Sequence, residues 1–278
     1  MRIAIDIKSI DSESVSSHKV RGVGKYITLL KNNLSSIDHK NTYIFTSKPT
    51  EENVDLIHYP YFDPFFINLP LTNKVKTIVT VHDVIPLTHL KNFPVGVKGR
   101  PKWYINKSRL KKADYIITDS MSSKKELIKV SGIKNDKIVP VQLAVDDDFK
   151  KLTMSEKDIN TLKDKYSLPE NFLLYVGDVT WNKNLPRLIN AAIKTKIPLV
   201  MVGKALVDEN ISSKDPWSKD LITVRKLMNS QKTIIPLGFV HSEDLVELYR
   251  HASMMVLPSV YEGFGLGVLE AMQSGCPV

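Results

Sequence analysis

The sequence predicts an α/β protein with two open, parallel, Rossmann-like sheets, and three observations carry that prediction. Short apolar runs alternate with longer helical patterns. Several of those runs are continuous Val/Ile/Leu stretches rather than apolar–polar alternations, which suits strands buried on both faces of a parallel sheet. The alternation breaks once, over residues 146–168, and resumes, in a chain whose 278 residues suit two domains better than one. Strand–helix alternation implies right-handed βαβ units with ligands beyond the carboxyl ends of the strands. The domains fall at 1–152 and 169–278, joined by a connecting helix at 153–168, and the two sheets are expected to face a cleft.

The first series of strands is read at Arg2–Ile7 (RIAIDI), Tyr43–Thr46, Leu56–Tyr59, Thr77–His82 (TIVTVH), Tyr115–Thr118 and Lys137–Val141. Between them, Lys25–Leu34 places Tyr26, Leu29 and Leu30 on one helical side, and Ser122–Val130 opens with a stretch suited to a helix N-terminus. Asp146–Leu152 is a polar connection, and Ser155–Leu168 a charged helix. The second series has strands at Phe172–Val176, Leu199–Val202, Thr233–Pro236 and Met254–Leu257. Its helices are Leu185–Lys194, Lys219–Asn229, Glu243–Ala252 and Gly267–Gln273. The final GCPV reads as a turn into a further strand, so the second domain is expected to be incomplete.

Composition narrows the function classes. Hydrophobic residues at 42% and charged residues at 25% describe an ordinary folded chain. The single cysteine, Cys276, excludes a disulfide framework and a multi-thiolate zinc site. The N-terminus lacks the pattern of a signal peptide, and no run approaches the ~20 apolar residues that cross a bilayer, so a cytoplasmic location is expected. Charge is uneven: residues 1–150 carry 24 basic and 16 acidic residues, the remainder 15 and 14. A basic first half fits an anionic substrate, an anionic membrane or nucleic acid, or equally a mildly basic solvated surface. Nothing resembles a recognition helix, so no nucleic-acid partner is expected.

The most informative segment is Pro258–Val278, PSVYEGFGLGVLEAMQSGCPV, which follows a strand. Seven residues separate Glu262 from Glu270, with Gly263, Gly265 and Gly267 between them. Glycines let backbone N–H groups approach a ligand, and a helix starting near Phe264 would aim its positive end at an anion. Glu262 can accept hydrogen bonds from sugar hydroxyls, and Glu270, two turns inside the helix, can hold a polyol such as ribose. The bland alternative is a glycine-rich loop with two solvated glutamates. Elsewhere, Tyr175–Leu188 (YVGDVTWNKNLPRL) is a strand-loop-helix element carrying Asn182 and Lys183. Arg21–Tyr26 (RGVGKY) sets Gly22 and Gly24 at a helix start without the spacing of a dinucleotide fingerprint. Thr80–Leu87 (TVHDVIPL) puts His82 where such a sheet places ligand contacts. Asp83 either sets its tautomer or caps the loop.

The segment around Glu262 and Glu270 resembles the E-x7-E signature of the retaining glycosyltransferases of family 4, which have the GT-B fold. The resemblance runs through essentially the whole sequence. It implies two Rossmann-like domains, a nucleoside diphosphate sugar bound mainly by the second, and an acceptor bound mainly by the first. It implies that Glu262 contacts the donor sugar, that the backbone of Gly263, Phe264 and Gly265 faces the diphosphate, and that Glu270 binds the ribose. The 175–188 element is similar to the family's Lys-Asn element, in which Lys183 neutralises the diphosphate beside Asn182. Asp178 and Asn182 depart from the commonest family pattern, which leaves the donor's identity open. Gly22 and Gly24 resemble the family's first-domain glycine loop, and His82 its His-Asp-x-x-Pro histidine, which orients the sugar and stabilises charge.

The implied activity is transfer of a sugar, with mannose as the family-level suggestion, to a glycan or lipid-linked hydroxyl in polysaccharide biosynthesis. Anomeric configuration would be kept, and no cofactor or metal is expected. His82, Lys183 and Glu262 are the expected catalytic residues. Other readings are an inactive or partner-dependent nucleotide-sugar-binding fragment and a GT-B sugar-nucleotide epimerase. Lys98–Lys112 (KGRPKWYINKSRLKK) has seven basic residues, no acid, and Trp103 and Tyr104. It suits peripheral contact with an anionic membrane at the inner face, or is a solvated helix between strands.

Overall fold

The computed structural model describes residues 1–11, 22–72, 74–96, 99–208, 216–229 and 231–278. Arg21 and Lys98, which belong to two of the motifs above, lie outside them. The chain divides into two compact units, Met1–Lys91 with Val95–Leu143, and Asn92–Pro94 with Ala144–Val278.

The first unit holds a six-stranded sheet of β1 (Arg2–Asp6), β2 (Thr42–Thr46), β3 (Leu56–Tyr59), β4 (Lys76–Thr80), β5 (Tyr115–Thr118) and β6 (Ile138–Pro140). Its order is β2-β1-β3-β4-β5-β6, with every pairing parallel. Helices α1 (Gly22–Ile37), α2 (Ile85–Thr88), α3 (Gly99–Lys111) and α4 (Met121–Ser131) lie between strands. Ala4, Ile57, Val79 and Ile116 from the strands pack with Leu110 of α3 and Leu127 of α4. Helix α4 begins where the Ser120 hydroxyl accepts the Ser123 amide at 3.0 Å, and stops at Gly132, whose φ of 65° completes a left-handed C-cap. The strand expected at Thr77–His82 ends at Thr80, so His82 stands in the loop beyond it.

The second unit holds β7 (Leu173–Val176), β8 (Leu199–Val202), β9 (Ile234–Gly238) and β10 (Met254–Met255), parallel throughout in the order β10-β7-β8-β9. The expected connecting helix forms as α5 (Glu156–Tyr166), and its Leu162 packs into this unit's core. The other helices are α6 (Leu185–Thr195), α7 (Lys219–Asn229), α8 (Ser242–His251) and α9 (Leu266–Gln273). Successive strand residues point to opposite faces, and both faces are covered. Phe172 and Leu174 pack with Leu162, Leu248, Tyr249 and Ala271. Tyr175, Leu199 and Met201 pack with Leu185, Ile189 and Val224. Each fully buried side chain of this kind contributes roughly 1.5–3 kcal/mol of transfer free energy. Pro236, which has no amide hydrogen, sits in β9 at the edge of the sheet, beside a register shift at Met201/Val202.

The strand order places the loops that matter. The chain runs outward from β7 through β8 to β9, then returns to put β10 on the opposite side of β7. The β7/β10 boundary is therefore the topological switch point, where the loops leaving two adjacent strands diverge and open a crevice. Strand β10 is two residues shorter than expected, and the helix expected near Phe264 begins at Leu266, because Gly265 takes a left-handed φ of 90°.

Candidate functional site

The loops after β7 and β10 are tied together by Asn182. After β7 the chain turns at Gly177, makes one 3-10 turn at Trp181–Lys183, passes through Asn184 at a φ of 54°, and enters α6. The Asn182 amide donates to the Tyr261 carbonyl at 3.0 Å, and its side-chain oxygen accepts the Thr180 hydroxyl at 2.8 Å. The Asn182 carbonyl accepts the Val260 amide at 2.8 Å, and the Asn184 side chain donates to the Pro258 carbonyl at 3.1 Å. Asn182 is only 5% exposed. Its side-chain amide and its backbone carbonyl thus brace the two loops against each other, its side-chain oxygen holds its own turn through Thr180, and Asn184 supplies the left-handed residue that starts α6.

That bracing sets Lys183 against Glu262. The Lys183 ammonium lies 2.6 Å from Glu262 Oε1, and the Ser259 hydroxyl donates to the same oxygen at 2.6 Å. Both charged side chains are about one-fifth exposed, at 21% and 20%. They are held in position yet reachable from solvent. The Glu262 charge is also felt beneath the loop: burial, then Asp178 and Glu262, push the Tyr175 phenol far above the usual tyrosine range. Tyr175 donates to the Asp178 carbonyl at 2.7 Å, which fixes the turn leaving β7.

Gly263, Phe264 and Gly265 lie half-buried between Glu262 and the start of α9. Glu270, in the second turn of α9, is 7% exposed and accepts a hydrogen bond from the Tyr249 hydroxyl at 3.2 Å. The structure therefore puts Asn182, Lys183, Glu262, Gly263, Phe264, Gly265 and Glu270 on the two loops and one helix that follow β7 and β10.

In the first unit, Gly22 and Gly24 fall in the first turn of α1, Gly22 exposed and Gly24 buried. His82 Nδ1 lies 2.8 Å from Asp119 Oδ2, and its Nε2 3.1 Å from the Pro60 carbonyl oxygen. The Tyr26 ring meets His82 edge-on, with centroids 5.0 Å apart, and the Ser123 hydroxyl donates to the His82 carbonyl at 2.9 Å. Asp83 accepts the Ile85 amide at 3.0 Å and so caps its own loop, while the carboxylate at His82 comes from Asp119, at the end of β5. Behind His82, the Thr80 hydroxyl joins His58 Nε2 at 2.8 Å and the Tyr26 hydroxyl at 3.4 Å. Burial, then the nearby His82, lower His58 to about 4.

Sequence reasoning missed Asp119, Ser259 and Tyr249. Asp119 carries a local signal, a carboxylate immediately after an apolar strand. Ser259 and Tyr249 become visible only when their neighbours across the fold are known.

Comparison with known proteins gives two family matches in chain order. Residues 45–149 match the family described as Glycosyltransferase Family 4, and residues 158–278 that described as Glycosyl transferases group 1. The serotype-specific mannosyltransferase WbdA of Escherichia coli is 31% identical over 221 residues, 77% of this chain and 26% of that protein. The O-antigen chain mannosyltransferase B of E. coli is 30% identical over 236 residues, 81% of this chain and 57% of that protein. The chain thus spans about a quarter of the one relative and just over half of the other. Among solved structures, the sucrose-phosphate synthase of Thermosynechococcus elongatus superposes with a TM-score of 0.70 at 18% identity, covering 100% of this chain and 80% of that one. That likeness identifies the fold as GT-B.

Proposed function

Because the chain belongs to the family 4 glycosyltransferases, we propose that it transfers a sugar, with retention, from a nucleoside diphosphate sugar to an acceptor hydroxyl in polysaccharide biosynthesis. The observation that carries this reading is the Lys183–Glu262–Ser259 contact at the β7/β10 switch point, 2.6 Å on each side of one carboxylate oxygen. An ammonium and a carboxylate, both partly exposed and braced on adjoining loops, suit a ligand with an anionic diphosphate next to a polyhydroxyl sugar. When donor enters, Lys183 turns to the diphosphate and Glu262 to the sugar hydroxyls, so each exchanges its ion-pair partner for ligand. Lys183 stabilises the charge that grows on the leaving diphosphate, together with the backbone at Gly263–Gly265 that leads into α9. Glu270 holds the ribose. The diphosphate's charge is met in this reading by these groups rather than by a metal.

His82 orients the transferred sugar and stabilises charge there. Support for that role is its fixed ring, hydrogen-bonded at 2.8 Å to Asp119. Mannose as the sugar rests on the two E. coli mannosyltransferase relatives. A thermal-shift panel of GDP-, UDP- and ADP-sugars tests the assignment, because a ligand that binds only the native state raises the unfolding temperature. Stabilisation by one sugar nucleotide, followed by its transfer, is expected. No shift with any of them would sink the proposal.

Helix α3 supports a second element, docking on an anionic membrane near a lipid-linked acceptor. Asn106, fully buried, donates to the carbonyls of Asp63, Pro64 and Phe66, and Arg109 donates to that of Leu69. They hold a loop that exposes Phe66 and Leu71 beside Tyr104 and the basic residues of α3. A recess of about 320 Å³ lies between Leu71, Tyr104, Ile105, Arg109 and Lys112. Among the described residues no helix is long and apolar enough to cross a membrane. Changing Lys102, Lys111 and Lys112 to Glu should abolish co-sedimentation with anionic liposomes, and unchanged binding would remove this element.

A further inference from the structure

We propose that Tyr249 is a positioning residue for nucleoside recognition: it fixes the Glu270 carboxylate for a ribose diol. The inference rests on the reading of Glu270 as the ribose ligand. It is carried by one hydrogen bond between two buried side chains: the Tyr249 hydroxyl donates to Glu270 Oε2 at 3.2 Å, and Glu270 is 7% exposed. A phenol that donates to one carboxylate oxygen fixes the orientation of the group, and the two hydroxyl hydrogens of a vicinal diol bind best to an acceptor already held in place.

Tyr249 is built for a fixed role. It is fully buried in α8, and its ring packs edge-on against Phe149, which is 1% exposed, with centroids 6.0 Å apart. Phe149 is held in turn by Arg250, the next residue of α8, whose guanidinium donates to the Lys150 carbonyl at 2.9 and 3.0 Å and to that of Asp148 at 3.2 Å. Burial and the adjacent Glu270 charge keep the phenol protonated far above the usual tyrosine range, so it remains a donor.

The experiment is isothermal titration of the wild-type chain, Tyr249→Phe and Glu270→Gln with GDP and with UDP, each beside its 2′,3′-dideoxy counterpart. Tyr249→Phe should weaken the ribonucleotide about 3- to 10-fold, the effect of one net hydrogen bond, and leave the dideoxy compound unchanged. Glu270→Gln should also cut the preference for ribose. Both nucleotides are titrated into one preparation, so a partly unfolded variant loses both equally and shows it in the stoichiometry. Equal weakening of both compounds, or none, in Tyr249→Phe overturns the positioning role while Glu270→Gln still discriminates. If Glu270→Gln keeps the wild-type preference, or neither nucleotide binds the wild type, the ribose reading fails and this inference with it.

Discussion

Replacing Lys183 by Met keeps the aliphatic reach of the side chain and deletes its ammonium, which separates the two things Lys183 does. In the donor-free protein its partner is Glu262 at 2.6 Å, with both side chains about one-fifth exposed. Two unit charges at ~4 Å attract by roughly 4 kcal/mol at an effective dielectric of ~20, but desolvation, side-chain entropy and solvent screening leave a partly exposed pair worth ~1 kcal/mol or less. Glu262 also keeps the Ser259 hydroxyl when the ammonium goes. Folding should therefore change by no more than ~1 kcal/mol. In the reaction the same ammonium meets a diphosphate gaining charge. A charge-assisted hydrogen bond contributes about 1.5–3 kcal/mol, and a donor aimed at transition-state charge up to ~4. At ~1.36 kcal/mol per factor of ten, kcat/KM should fall about 10- to 10³-fold. The measurements are transfer kinetics with the sugar nucleotide chosen by the thermal-shift panel, and thermal unfolding of the unliganded variant. The reasoning is refuted if kcat/KM stays within threefold of wild type, or if the loss follows the unfolded fraction.

Asn182→Ala removes the side chain that links the Thr180–Lys183 turn to Tyr261. Leaving the Tyr261 carbonyl without this donor should cost about 1–3 kcal/mol in chemical unfolding, and loosening Lys183 should lower kcat beyond that; full activity would argue against the brace. Gly203→Ala sets a Cβ 2.4 Å from the Gly177 carbonyl oxygen, where only backbone movement relieves the clash, so about 1–3 kcal/mol of destabilisation is expected from denaturant midpoints, and a wild-type midpoint would contradict the packing. His58, lowered to about 4 from 6.5, binds a proton more readily in the unfolded chain. Its contribution is constant above pH ~6.5 and is lost as pH falls toward 4, for a total of order 3 kcal/mol. His58→Gln, which offers Thr80 an amide in place of Nε2, should flatten that slope in urea titrations at stepped pH; an unchanged slope would assign it to other groups.

What the sequence determined is whatever depends on near neighbours in the chain. Continuous runs such as LLYV and LVMV can be buried on both faces only in a covered parallel sheet, so β7 and β8 were legible almost to the residue. The glycines between Glu262 and Glu270 announced a turn into a helix, and Lys183 was marked by its place between a strand and a helix. Tertiary structure decided the partners. Nothing local says that β10 returns beside β7, and that return places Ser259 and Glu262 against a lysine seventy-nine positions away from the glutamate. Asp83 is adjacent to His82 in sequence, but an Asx turn claims it for the Ile85 amide, and Asp119 reaches the ring because β5 lies next to β4 in the sheet. Tyr249 reads as one more apolar position of an amphipathic helix until the packing of α8 on α9 brings its hydroxyl to Glu270. Periodicity reports which face of an element is buried; what meets that face depends on the order of the strands, which pattern alone does not encode.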